Sequence, residues 1–188
     1  MTIAANGRVT TLGLYLHRLT RAALLDRWLY EEVEKDPSRL GQAITTVLLS
    51  SFAAGIGAGG SHGSSLTTFA MFSVTAVASW VLWAALILHV GRRLMPETQT
   101  HTSLGELLRT TGFAAAPGMI QAFAVFPGVT IAVFAVAWVW MLAAMVVAVR
   151  QALDYRSTRH AIGACAVAWA LAVVLPLLVA VAFSRPAS

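Results

Sequence analysis

Long uncharged stretches alternate with short charged clusters along this chain. Charged residues group first between Arg8 and Arg39, next at Arg92, Arg93, Glu97, Glu106 and Arg109, and last at Arg150, Asp154, Arg156 and Arg159. The segments between them, 40–91, 110–149 and 160–184, carry no formal charge. About 20 apolar residues cross a bilayer. The first two segments therefore each have room for two crossings and the third for one. The pattern predicts five spans, at about 42–59, 68–91, 107–126, 128–149 and 161–183. Backbone polar groups in lipid must be satisfied internally, by helices or by a closed barrel. A barrel would show alternating segments of about ten residues, whereas AVAWVWMLAAMVVAV is continuous. The expected fold is all-α: a polytopic membrane domain over 41–184 behind an N-terminal region, 1–40.

That N-terminal region has a periodicity of its own. Leu12, Tyr15, Leu16, Leu19, Ala22 and Ala23 recur at helical spacing, with His17, Arg18 and Arg21 on the other side. This describes an amphipathic helix with a basic polar face, suited to the membrane interface. Helix resumes around Leu25, Trp28, Leu29 and Val33 and breaks at Asp36–Pro37–Ser38, because proline lacks a backbone donor and restricts its predecessor. Further on, Ser51, Gly55 and Gly59 form a small-residue face that would admit a neighbouring helix. Ser103 and Glu106 have the spacing of a capping box. Pro117–Gly118 predicts a kink or break in the third span, and Pro176 a second kink in the fifth.

Composition and charge add the orientation. The chain is 58% apolar and only 11% charged, with mean hydropathy +0.74. That excludes an ordinary soluble domain. Hairpins of spans return the chain to the side it left, so all three charged clusters face one compartment and only Arg185 faces the other. Basic short loops mark the cytoplasmic side. The N-terminus is thus expected in the cytoplasm and the C-terminus outside, in a multi-pass protein of the cell (inner) membrane. The net charge of +5 is accounted for by helix ends and loops, and no basic patch interleaved with aromatics points to nucleic acid. A single cysteine, Cys165, cannot form an internal disulfide. No cleavable signal peptide is expected, since the first long apolar run starts after residue 40.

Candidate chemistry is sparse. No Asp, Glu, Lys or Arg falls in mid-span, where charge usually marks an ion path, proton relay or catalytic centre. Arg109 stands closest, just inside the third span, with snorkelling to the headgroups as its expected role. Gln121 follows the Pro117–Gly118 break by a turn and would satisfy a freed carbonyl or line a polar cavity. Trp80, Trp83, Trp138, Trp140 and Trp169 read as packing anchors with indole N–H groups bonded across helices. Glu31, Glu32, Glu34 and Asp36 form an acidic group before the first span, readable as a solvated helix end or a partner-docking site. His89, His101 and His160 with Glu106 and Asp154 are the sharpest enzyme candidate, a zinc-dependent hydrolase at the rim. None of them has metal-site spacing. No cofactor, catalytic residue or soluble small-molecule substrate is expected.

Three segments carry a family resemblance: WLYEEVEKDPSRLGQA before the first span, ELLRTTGFAAAPGM in the third, and WMLAAMVVAVRQALDYRSTRHAI across the fourth and fifth. In order and spacing they resemble the bacterial branch of the Yip family. The resemblance covers most of the chain from about Leu24 onward and implies five spans with a cytoplasmic N-terminus. Eukaryotic members bind prenylated Rab-type GTPases, but their cytosolic N-terminal regions are longer than the 40 or so residues here. The resemblance therefore implies fold more than activity. The resulting expectation is a non-enzymatic membrane protein that binds lipids, membrane-protein partners or further copies of itself. Its site residues would be Glu31, Glu32, Glu34, Asp36, Arg109 and Gln121, with Pro117, Gly118 and Pro176 shaping bends. The alternative is a small transporter or lipid-translocating protein built on the bent third span.

Overall fold

The computed structural model of the chain describes residues 3–59, 66–96 and 102–183. These residues are helical throughout, with no strand among them. Helices α1 (Ile3–Ala23) and α2 (Arg27–Lys35) form a hairpin, and a 3-10 turn at Pro37–Arg39 leads into α3 (Leu40–Gly59). Helix α4 (Leu66–His89) ends in a widened π turn, Val90–Leu94. Then come α5 (Leu104–Phe113), a ten-residue 3-10 helix at Ala116–Val125, α6 (Thr130–Ala152) and α7 (Thr158–Phe183). Three segments are long and apolar enough to cross a membrane: Pro37–Ala58, Ser73–Leu94 and Thr130–Ala152. Their outer faces are apolar and bare, with Ile131 86%, Val139 69% and Val74 69% exposed. A soluble monomer rarely leaves so broad an apolar surface, so lipid is the natural cover and the molecule is a membrane protein.

Helix α5 is the hub. It packs against α2, α3, α4 and α6, and the 3-10 helix that follows is held between α3 and α6. Its start is fixed by the capping box: the Glu106 amide donates to Ser103 Oγ at 3.3 Å, and the Ser103 amide donates to Glu106 Oε2 at 2.7 Å. The segment expected to form the third span is thus made of two unlike pieces. The α-helix stops at Phe113, and tighter coiling begins at Ala116 with Pro117 in its first turn. Proline has no N–H to give the carbonyl four residues back and disfavours α geometry in its predecessor. A 3-10 run of this length is uncommon. Close packing on both sides supports this one.

Small residues make that packing possible, and they are not the ones expected. Gly55 is exposed and a Cβ there would meet nothing within 4 Å, while the Ser51 hydroxyl bonds its own helix at Val47 O. The contact stripe on α3 lies one position round, on Ala43, Val47, Ser50, Ala53 and Gly57. A Cβ on Gly57 would overlap the Gln121 carbonyl oxygen and stand 2.9 Å from Ala124 Cβ. A Cβ on Gly118 would overlap Ser50 Oγ and come within 2.8 Å of Met141 Sδ. Gly112 is pressed too, with Ala43 Cβ 2.7 Å from such an atom.

The buried residues fall into two clusters. One joins Leu19, Ala22, Leu29, Tyr30 and Val33 of the α1–α2 hairpin to Ala43, Trp80, Phe113 and Ala148. The other joins Ile87, Val90, Leu107, Val149, Leu153, Ala161 and Ala164 around α4, α6 and α7. Helix α1 therefore does more than lie in an interface. Tyr15, Leu19 and Ala22 face the bundle while Leu12 and Leu16 point away from it, more than half exposed.

Candidate functional site

The three charged clusters converge at one end of the bundle, and Arg109 shows how. Its side chain is only 8% exposed. Nε donates to the Val33 carbonyl at 2.9 Å and an Nη donates to the Glu34 carbonyl. The guanidinium therefore caps the C-terminal turn of α2, whose last carbonyls lack helical partners. The snorkelling expectation fails because an inward target lies within reach: Val33 and Glu34 present their carbonyls directly to α5.

Helix α2 is also tied to α1. Arg18 Nε meets Glu32 Oε1 at 2.9 Å, Arg21 Nη1 meets Glu32 Oε2 at 2.8 Å, and Arg21 Nε meets Asp26 Oδ2 at 2.7 Å. The basic face of α1 is thus largely neutralised within the hairpin. The Arg21 hydrogen bond holds the Asp26 carboxyl below its usual range. The turn is a Schellman motif with Leu25 in the left-handed region (φ 61°); the Leu25 amide donates to Ala22 O and the Asp26 amide to Arg21 O.

The acidic group resolves into separate local roles. Glu31 pairs with Lys35 at 2.6 Å, Glu32 with the two arginines, and Asp36 accepts from the Ser38 amide and hydroxyl at the N-cap of the Pro37–Arg39 turn. Glu34 differs. Burial pushes its carboxyl up to about 7, and the nearby Asp154, Glu106 and Glu31 add to the rise against Lys35. A carboxyl raised on folding holds a proton that the unfolded chain has released. The contribution of Glu34 to stability is therefore most favourable below about 4.5, falls as pH rises towards about 7, and is flat beyond. Glu34→Gln removes the charge and keeps the backbone carbonyl used by Arg109. It should stabilise the detergent-solubilised protein by about 1 kcal/mol at pH 8, discounted for partial exposure, and by nothing at pH 4.5. Melting curves at the two pH values check this.

Beside α2, a cavity of about 220 Å³ opens where α6 ends and α7 begins, lined by Arg27, Val147, Arg150, Gln151, Asp154 and Thr158 with Tyr155. A second Schellman turn shapes it: Asp154 takes φ 52°, with its amide donating to Gln151 O and the Tyr155 amide to Arg150 O. Arg150 braces the loop through Tyr155 O, Thr158 Oγ1 and Arg156 O. Arg27 lies over the Trp28 ring, 4.9 Å from its centroid. Tyr155 donates its hydroxyl to Met95 O at 3.0 Å, and the Thr102 hydroxyl donates to Ala152 O, so the α4–α5 connection is tied to the same end. No sequence motif flagged this cavity. The one trace of it was the presence of arginines at the ends of two helices.

The other expected positions lie elsewhere. Gln121 is buried in the 3-10 helix, donating to Met141 Sδ at 3.7 Å, while its carbonyl is packed on Gly57. It meets a thioether, neither a freed carbonyl nor the rim cavity. Pro117 and Gly118 are buried at the start of that helix, and α7 continues unbroken past Pro176. Trp80 Nε1 donates to Thr111 Oγ1 at 3.0 Å and Trp140 Nε1 to Ala23 O at 2.6 Å. The other tryptophans do not follow suit: Trp83 Nε1 has no partner, and Trp138 and Trp169 are about 60% exposed on outer faces. Among the described residues no group of three His, Cys, Asp or Glu side chains can hold a metal. His101, Glu97 and Arg185 lie outside them.

No curated protein and no solved structure matches the chain. A family model described as the Yip1 domain matches residues 28–180, from the α2 helix through most of α7. The chain belongs to the Yip1 domain family.

Proposed function

We propose that this is a five-span protein of the cell (inner) membrane, with a cytoplasmic N-terminus and an external C-terminus, that acts without catalysis by binding. Its ligands are lipids, membrane-protein partners or further copies of itself, met at the charged end. The observation that carries this reading is the division of chemistry along the bundle. Charged side chains and the rim cavity gather at one end, while the interior around Gln121, Gly57 and Gly118 is closely packed.

Two further crossings complete the arrangement. Ten α-helical residues and ten 3-10 residues rise about 15 and about 20 Å, together enough for a hydrocarbon core of about 30 Å. Helix α7, at 26 residues, is long enough alone. The α1–α2 hairpin then lies against the cytoplasmic rim, with Glu32 tying its two helices together.

Topology labelling tests the arrangement. In a Cys165→Ala background, Pro127→Cys should react with a membrane-impermeant maleimide on intact cells, and Pro96→Cys only after permeabilisation. Both residues are exposed, at opposite ends of the bundle. The opposite pattern, or labelling of both on intact cells, would overturn the orientation.

A further inference from the structure

We propose that the cavity between α2, α6 and α7 is a binding site for the phosphodiester headgroup of an anionic bilayer phospholipid. The residues that line it carry two guanidinium groups, on Arg27 and Arg150, the side-chain amide of Gln151 and the hydroxyl of Thr158, with one carboxylate, on Asp154. Guanidinium groups are the preferred partners of phosphate oxygens because their N–H groups form a planar fork. Arg150 is held in place by three bonds to the α6–α7 loop, which leaves further N–H groups of its five for a ligand. Arg27 is steadied by stacking on Trp28.

Charge selects among phosphates. Two guanidinium groups and one carboxylate leave a single net positive charge, which matches a phosphodiester monoanion better than the more highly charged free phosphate. Size agrees. At roughly 30 Å³ per water molecule, about 220 Å³ holds a phosphate and a few attached atoms, not an entire lipid. The rest of the lipid needs an apolar path, and α6 provides one. Val147 lines the cavity, and the positions below it on the same helical face are Ala143, Val139 and Val136, all exposed. Residues spaced by three and four form one stripe, an apolar face along which an acyl chain can lie. The height is also right. Helix α6, 23 residues long, rises about 35 Å, so a cavity at its end lies at headgroup level. Trp28, 61% exposed beside Arg27, suits that depth.

This inference rests on the proposed membrane arrangement, which topology labelling tests separately. Lipid binding can fail while the labelling pattern stands. The binding test uses the full-length protein, delipidated in detergent and titrated with phosphatidylglycerol, phosphatidylcholine or inorganic phosphate, followed by thermal shift and native mass spectrometry. Phosphatidylglycerol should bind saturably and at least tenfold more tightly than phosphatidylcholine, with inorganic phosphate giving no shift at millimolar concentration. Arg27→Gln, at an exposed position outside both buried clusters, should weaken phosphatidylglycerol binding about tenfold. Arg93→Gln, also exposed at the rim but outside the cavity, should leave it within twofold. Equal binding of the two lipids, an equal response to inorganic phosphate, or equal losses in the two variants would each overturn the proposal.

Discussion

Replacing Arg109 with alanine should release α2 from the bundle, at a cost of about 3–5 kcal/mol. The side chain is nearly buried and supplies donors to two main-chain carbonyls at the end of α2. Hydrogen bonds from a charged donor contribute about 1.5–3 kcal/mol each, and truncation leaves the carbonyls facing a void. Arg109→Lys should lose about half as much, because one ammonium replaces a fork that reaches both carbonyls. Hydrogen exchange can be read element by element. Amides of 27–35 should lose protection in Arg109→Ala while those of α6 keep theirs. Wild-type protection across α2 would return Arg109 to the snorkelling role its sequence position suggests.

The second large effect concerns two glycines on one helix, two residues apart. Gly57→Ala should destabilise the protein by more than about 3 kcal/mol, because the new methyl meets the Gln121 carbonyl and Ala124 Cβ. A backbone carbonyl inside a packed 3-10 helix cannot step aside as the end of a flexible side chain would, and overpacking commonly costs 1–3 kcal/mol even where neighbours can shift. Gly55→Ala should be neutral or stabilising by up to about 1 kcal/mol. Its methyl meets nothing within 4 Å, and alanine is the better helix former. Detergent melting curves of the two variants give the comparison directly. Similar midpoints would mean that α3 and the 3-10 helix are not packed as described.

The same pair shows what was legible in the sequence. The small residues of the first span announce a close approach, but their spacing at four points to the Ser51–Gly55 face, whereas Gly57 is the one pressed. Spacing at four fits Ser51–Gly55–Gly59 as well as any other set, and only the partner helix decides which glycines are pressed. The capping box at Ser103–Glu106 could be read because its reach is three residues. The hairpin turn at Leu25 could not, since leucine carries no sign of a left-handed conformation. The basic face of α1 looked like a headgroup-binding surface because its neutralising carboxylates, Glu32 above all, belong to another helix. Arg27 and Arg150 stand more than a hundred residues apart, and nothing local to either suggests that one cavity contains both.

By itself the sequence determined the helical class, the membrane setting and the uncharged interior. These follow from composition over windows of about twenty residues, which lipid reads directly. Tertiary structure decided which polar groups meet: Arg109 turned inward to α2, Gln121 set against a methionine, and a cavity at the junction of α2, α6 and α7 with two arginines in its lining. Those outcomes depend on which helix faces touch, and touching is settled by shape at the scale of a single methyl group. Hydrophobic periodicity carries no information at that scale.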